Sequence, residues 1–175
     1  MLRDNERGFT LIEMVSVMAL IAVLLTVSVS ALRPYWFGRA MDRAEGELVA
    51  EMRQTQQRVV AETHPLVYGV WFRSGTPDWG VVAFDPKDAS TSTDDVCTTD
   101  ARFLFDGAFV SDIQDGDTTS SYATTCASVA PGATFVFFYA KGTATRATIT
   151  LEHEQTGKTK QVSVTPLTAR IEGQG

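Results

Sequence analysis

The stretch Arg7-Gly8-Phe9-Thr10-Leu11-Ile12-Glu13-Met14 marks the point where this chain changes from a polar start to a long apolar run. Residues 1–8 are polar and include Arg3 as well as Arg7, whereas Phe9–Leu32 holds a single ionisable side chain, Glu13. About 20 apolar helical residues span a bilayer, so the run predicts a transmembrane helix. The cationic start should stay in the cytoplasm while the rest of the chain crosses.

The end of the apolar run argues against a cleaved secretory signal peptide, which has a shorter apolar core followed by a small-residue cleavage site. Here the run ends in Leu32-Arg33-Pro34, and no Ala-x-Ala site follows at a suitable distance. A plain signal anchor would explain this much of the sequence.

Glu13 is not explained by a plain anchor, because an uncompensated carboxylate inside a membrane costs ~2–4 kcal/mol or more. Such a residue is kept when it has a partner. A cut between Gly8 and Phe9 would create an α-amino group about one helical turn from Glu13. The same cation could also meet the Glu13 of a neighbouring copy.

The string from Arg7 to Met14 resembles the class III signal of type IV prepilins and type II secretion pseudopilins. In that family a prepilin peptidase cuts after the Gly, the new N-terminal Phe is N-methylated, and the Glu at the fifth mature position guides subunit docking. The resemblance therefore implies leader cleavage between Gly8 and Phe9, N-methylation of Phe9 and an assembly role for Glu13. It also implies partners: other pilin or pseudopilin subunits, prepilin peptidase, an inner-membrane platform protein with its ATPase, and membrane lipid before assembly.

A second helical segment is predicted over residues 34–64. Pro34 should kink the helix without ending it, because the pattern resumes at once. Glu51 and Arg53 fall on the predicted exposed face, and His64-Pro65 is the expected stop. The opposite face is a stripe at spacings of three or four, predicted to pack against a core: Met41, Ala44, Leu48, Met52, Thr55 and Val59.

The remainder, residues 65–175, is predicted to be a β-rich domain outside the cytoplasm. Gly157-Lys158 lies between two alternating runs and predicts a hairpin, and no helical period is evident after Pro65. The fold class is therefore α+β, a long N-terminal helix with a transmembrane half (9–33) and an amphipathic half (34–64) packed on an antiparallel sheet. Strand-like runs are Leu66–Phe72, Gly80–Phe84, Arg102–Phe105, Thr134–Tyr139, Ala147–Leu151, Gln161–Val164 and Ala169–Ile171.

The last 40 or so residues resemble the closing strands of GspH/FimT-like minor pilins, which imply a minor subunit. The matching features are the aromatic-x-x-x-Gly turn that ends at Gly142, the hairpin and the last strand. In that family the last strand contains Thr-Gly-Arg, whereas here Ala169 stands in the place of the glycine. Residues 85–131 match no family pattern and are predicted to form polar surface loops around one or two strands.

Both cysteines, Cys97 and Cys126, fall in this middle stretch. Export to an oxidising compartment favours a disulfide between them, and two unpaired thiols are the alternative. A bridge would close a loop of about 30 residues, worth about 3–4 kcal/mol in the chain-entropy model.

No cofactor is predicted, although Asp112, Asp115 and Asp117 around Gly116 raise calcium as an alternative to a solvated turn. No metal site is expected at His153, which the flanking Glu152 and Glu154 place on the surface, or at His64 at the helix end. The chain has none of the common catalytic motifs, so an enzyme is not predicted.

The distribution of charge limits the partners that the chain can bind. The net charge is −6, and the acidic residues are concentrated in Ser74–Ser128. That balance argues against broad binding to DNA, although the tail after Ser128 is weakly basic. The sequence thus predicts a structural, minor subunit of a type IV pilus or a type II secretion pseudopilus, anchored in the bacterial inner membrane before assembly. The alternatives are a filament-tip subunit that binds DNA, a surface or an exported protein, and a monomeric membrane-anchored periplasmic protein.

Overall fold

The structure is a computed structural model that describes residues 10–62, 67–85, 97–104 and 107–174. Its first element is helix α1, Leu11–Ala61. The backbone stays helical through Pro34, as predicted for a proline that interrupts the pattern without ending the helix. The predicted stop at His64-Pro65 and the end of the predicted strand at Phe105 lie outside the described residues.

The chain divides into two compact units, Met1–Trp36 and Phe37–Gly175. The described part of the first unit is the apolar half of α1 with the residue before it. The second unit contains the amphipathic half of α1 and every strand found among the described residues. The described apolar side chains of the first unit are exposed, whereas most of those in the second unit form a core.

The β-structure of the second unit consists of two antiparallel sheets, where the sequence predicted an antiparallel β-sheet domain without this division. The five-stranded sheet has the order β3-β2-β1-β5-β6, and the four-stranded sheet has the order β4-β7-β8-β9. The strands are β1 Val67–Phe72, β2 Asp78–Phe84, β3 Cys97–Phe103, β4 Ala108–Gln114, β5 Thr134–Tyr139, β6 Thr143–Ala144, β7 Ala147–His153, β8 Thr159–Val164 and β9 Ile171–Gln174.

The main core lies where the amphipathic half of α1 meets side chains from both sheets. The predicted stripe is confirmed, since all six of its members are buried. Strand alternation supplies the sheet side of the core, because inward residues recur every second position; β7 alternates strictly between buried and half-buried positions. The predicted hairpin is also confirmed, with β7 and β8 joined through Gly157 at φ +62°.

A second core lies on the other face of the five-stranded sheet. It is covered by the segment between β4 and β5, which contains a short helix, α2 (Ser121–Cys126). No helix was predicted there, because six residues are too few to show a helical period. The local signal was a cap: the Ser120 hydroxyl accepts a hydrogen bond from the Ala123 N–H at 3.1 Å, the usual role of a serine at a helix N-cap.

Two polar side chains predicted to be exposed are buried, and these predictions were wrong. His153 is 1% exposed, because it ends strand β7 on an inward position against the Phe37 ring, with centroids 4.8 Å apart. Glu51 is 9% exposed because it faces Arg102 on β3, an ion pair between distant parts of the chain. Neither long-range contact can be predicted from the residues next to His153 and Glu51 in the sequence.

Candidate functional site

The start of α1 has the geometry of a capped helix. Leu11 is the first helical residue, and the Thr10 side-chain oxygen faces the Glu13 N–H at 3.4 Å. Thr10-x-x-Glu13 has the residue spacing of a capping box, and this contact is the threonine half of that motif. Gly8 and Phe9 lie outside the described residues, so leader cleavage and N-methylation there remain predictions.

Glu13 itself lies in the first turn of α1. The free N–H groups of a first turn carry a partial positive charge, which favours a carboxylate at that position. This offsets part of the cost of placing Glu13 in an apolar environment, and it does so before any partner is considered. The α-amino group that a cut after Gly8 would create remains the predicted ionic partner.

The segment Leu11–Val29, which contains Glu13, is long and apolar enough to cross a membrane, and none of it is buried. Its large side chains are exposed from Leu11, at 83%, to Leu32, at 51%. A soluble monomer rarely leaves an apolar surface of this size in water. The segment therefore needs lipid or other apolar helices around it, which is what a membrane anchor or a helix-bundled filament provides.

The two cysteines are brought together in the second core, on the face of the five-stranded sheet that α2 covers. The structure joins Cys97, the first residue of β3, to Cys126, the last residue of α2, in a disulfide with Cα atoms 5.4 Å apart. Both residues are buried. The bridge fixes the α2 segment over the five-stranded sheet, where the Tyr122 ring packs edge-on against Phe84.

The acidic loop is structured by local hydrogen bonds. Asp117 accepts the N–H groups of Thr119 and Ser120 at 3.1 and 2.9 Å, and Asp112 accepts from the Gln114 side chain. Within the described ranges, no group of three or more His, Cys, Asp and Glu side chains is placed to hold a metal ion. Calcium at this loop stays the alternative to a solvated turn, to be tested by experiment, and the contacts of Asp117 are those of an ordinary turn and cap.

Charged contacts join the amphipathic half of α1 to the four-stranded sheet. Lys160 on β8 donates to Asp42 at 2.8 Å and to Glu45. Its hydrogen bond and charge lower the pKa of Asp42, and the bonds to both carboxylates raise the pKa of Lys160 against the opposing effect of burial. Arg53 of α1 donates to the Ile171 carbonyl of β9 at 3.2 Å.

A polar groove of about 600 Å³ lies beside the Arg53 contact, between α1 and the last strand. It is lined by Arg53, Gln56 and Gln57 of the helix and by 168–173 of the C-terminal segment. Arg170 at its rim pairs with Glu172 at 2.6 Å. The sequence does not predict this groove, because its two walls are more than 100 residues apart along the chain.

Comparison with known proteins supports both halves of the sequence interpretation. A family model described as "Prokaryotic N-terminal methylation motif" matches residues 3–29. No curated protein sequence matches the chain.

Two solved structures are similar in fold. The minor pseudopilin EpsH from the type 2 secretion system of Vibrio cholerae superposes with a TM-score of 0.54 at 8% identity, over 77% of this chain and 96% of EpsH. GspH of Escherichia coli gives a TM-score of 0.51 at 11% identity, over 78% of this chain and 88% of GspH. At such low identity the likeness shows the fold alone. The chain thus has the α+β pilin-like fold of these pseudopilins and carries the N-terminal methylation motif, and the predicted resemblance is confirmed.

Proposed function

We propose that this chain is a minor structural subunit of a type II secretion pseudopilus or a type IV pilus. Prepilin peptidase would process it between Gly8 and Phe9, and α1 would drive its assembly. The observation that supports this most is the apolar segment Leu11–Val29, exposed along its whole length, which lies within the residues 3–29 that the methylation family model matches. A helix of this kind is stable in a bilayer or in a bundle of similar helices, and filament growth moves it from one to the other.

The role of the start of α1 follows from charge. After cleavage the α-amino group of Phe9 and the carboxylate of Glu13 would be opposite charges in an apolar setting, where an ion pair is far stronger than in water. Pairing within one subunit suits the membrane-embedded form. Pairing between copies would set the axial register of a new subunit, because an unpaired Glu13 in the filament core is costly.

Intact-mass analysis of the mature protein from its native cell tests this proposal. We expect the loss of residues 1–8 and the gain of one methyl group on Phe9. A Gly8→Val variant should keep its leader, since the peptidase of this family cuts after glycine, while a Gly38→Val variant is the processed control. A mature protein that retains its leader, or is cut near residue 33, would overturn the proposal.

The choice between a secretion pseudopilus and a pilus can be made by deleting the gene in its native cell. Loss of exported proteins from the medium would assign the subunit to secretion, whereas loss of surface filaments with secretion intact would assign it to a pilus. In either case the inner membrane would hold the subunit as a single-pass protein, with residues 65–175 outside the cytoplasm. The platform protein would then be its first assembly partner.

A filament-tip role in binding DNA is less well supported by the charges of the second unit. Lys160 is engaged by Asp42 and Glu45, and Arg170 is engaged by Glu172. Both belong to the basic tail that the sequence analysis considered for DNA, and a paired cation is less available for phosphate. We expect the soluble domain to give no electrophoretic shift of duplex DNA at 50 mM salt, where phosphate contacts are strongest.

A further inference from the structure

The aromatic pair Tyr35 and Trp36 closes the first unit just beyond the apolar segment of α1. Tyr35 is 59% exposed and Trp36 is 66% exposed. The other two tryptophans, Trp71 and Trp79, are 4% and 0% exposed in the cores of the second unit. Trp36 is therefore a large amphipathic ring on the surface of a helix that the proposed function places in a membrane.

The spacing along the helix puts this pair at a defined depth. Leu11–Val29 rises about 27 Å at 1.5 Å per residue, close to the ~30 Å hydrocarbon core of a bilayer. With Leu11 at the inner boundary, the outer boundary falls near residue 31, at about 20 residues of rise. Tyr35 and Trp36 then lie roughly 6–8 Å further out, within the headgroup layer that widens the bilayer to about 40–45 Å.

The chemistry of the two rings matches that layer. Tyrosine and tryptophan each have an apolar body and one polar group, a phenol O–H or an indole N–H, and both are enriched where hydrocarbon meets water. We propose that Tyr35 and Trp36 bind the carbonyl and headgroup layer of the inner membrane, in the leaflet that faces away from the cytoplasm, and fix the depth of the unassembled subunit. This rests on the proposed function, since it requires α1 to span the membrane.

Fixing the depth also bears on Glu13. If the outer end of the helix is held at the headgroups, Leu11 is held at the inner boundary, and Glu13 lies about 3 Å inside it. A long carboxylate side chain can reach the polar layer from there. The aromatic pair would therefore hold the acidic end of the helix at the depth where its charge costs least before assembly.

Fluorescence quenching by brominated lipids tests the depth of Trp36 directly. The full-length protein is reconstituted in phosphatidylcholine–phosphatidylglycerol vesicles that contain lipid brominated at either the 6,7 or the 11,12 acyl positions. Subtracting the emission of a Trp36→Phe variant removes the signal of the two buried tryptophans. We expect shallow bromines to quench the Trp36 signal at least twofold more than deep bromines.

An Ile21→Trp change in the Trp36→Phe background is the matched control, because Ile21 lies about 22 Å from Trp36 along the same helix, near the middle of the hydrocarbon core. Its indole should show the opposite order of quenching. Stronger quenching of Trp36 by deep bromines would overturn the proposal. Quenching by aqueous acrylamide alone would also overturn it, because Trp36 would then lie in water. The pair would in that case be available to contact a neighbouring subunit.

Vesicle flotation separates this result from a failure of the proposed function. If the protein does not float with the vesicles, the membrane anchor is wrong and both proposals fall. If it floats but Trp36 is not at the headgroup layer, only the depth proposal falls.

Discussion

The guanidinium of Arg102 on β3 lies 2.8 Å from the carboxylate of Glu51 on α1 and joins the five-stranded sheet to the helix. Arg102 also contacts Asp100 at 3.1 Å and lies over the ring of Trp79, 5.6 Å from its centroid. Glu51 depends much more on this pair. Its side chain is 11% exposed, and its second oxygen is buried without a hydrogen-bond partner.

This asymmetry predicts unequal effects of removing the two partners. Arg102→Met should lower the free energy of unfolding by about 2–3 kcal/mol, because it leaves a buried charge uncompensated. Glu51→Met should cost less than about 1 kcal/mol, since Arg102 keeps Asp100 and partial solvation. Urea unfolding of the two variants measures both values.

The exposed pair of Arg170 and Glu172 is the control for that comparison. Arg170→Met should cost less than about 0.5 kcal/mol, as is usual for surface ion pairs. Equal losses of unfolding free energy for Arg102→Met and Glu51→Met would contradict the conclusion that Glu51 depends on the pair more than Arg102 does.

The contact between Lys160 and Asp42 predicts a dependence of stability on pH. A lowered pKa means that the fold favours the carboxylate form of Asp42. Its contribution is therefore full above about pH 5 and is lost as the pH falls through about 4 and below. The melting temperature of the wild type should exceed that of Asp42→Asn at pH 7, and the difference should shrink towards zero by pH 2.5.

The same contact also predicts a loss of stability at high pH. A raised pKa of Lys160 gives a contribution that is complete below about pH 10 and is lost as the pH rises further. A difference between the wild type and Asp42→Asn that stays constant from pH 7 to pH 2.5 would show that the pair does not act through charge.

The disulfide between Cys97 and Cys126 closes a separation of 29 residues. Its loss should lower stability by about 3–4 kcal/mol, because the unfolded chain regains the entropy of the open loop. The double variant Cys97→Ala, Cys126→Ala and the reduced wild type should therefore melt at similar temperatures, both below the oxidised protein. Titration of the denatured wild type should find free thiols only after reduction, and reactive thiols before reduction would exclude the bridge.

Ala169 is fully buried and has φ +46°, at the position where the resembling minor pilins commonly have glycine. Ala169→Gly would relieve about 1 kcal/mol of left-handed strain and lose roughly 0.8 kcal/mol of methyl burial. The free energy of unfolding should change by less than about 1 kcal/mol. Ala169→Val should cost about 2 kcal/mol or more, since a β-branched residue is poorly tolerated at positive φ and adds bulk to a filled site; an unfolding midpoint for Ala169→Val equal to the wild type would refute this.

The turn at Asp115–Asp117 provides a test of the calcium alternative. We expect the melting temperature to be the same in 1 mM calcium and in excess chelator, because Asp117 accepts hydrogen bonds from the N–H groups of Thr119 and Ser120, and Asp112 on β4 accepts one from the Gln114 side chain. A rise of several degrees with calcium that is abolished in Asp112→Asn would establish a site there.

Prediction from the sequence succeeded where the signal is local or periodic. The apolar stripe of α1, the hairpin at Gly157 and most strands come from spacing that each element imposes on its own residues. It failed for α2, which is too short to show a period. It also failed for His153, whose buried position depends on Phe37, more than 100 residues away along the chain.

The candidate site divides in the same way. The leader motif, the apolar run and Glu13 are contiguous, so the sequence predicted them together with their chemistry. The groove beside Arg53 could not be predicted, since helix and last strand meet there only after folding. The partners of Glu51 and Lys160 were hidden for the same reason.

The sequence alone determined the amphipathic helix, the strand-rich domain and the N-terminal methylation motif, because each depends on neighbouring residues and their hydrophobic spacing. The tertiary structure decided that the strands of the described residues form two sheets, that Glu51 and His153 are buried, and that Cys97 meets Cys126. These depend on contacts between distant segments. Burial and charge pairing are properties of the packed chain, so the local sequence does not encode them.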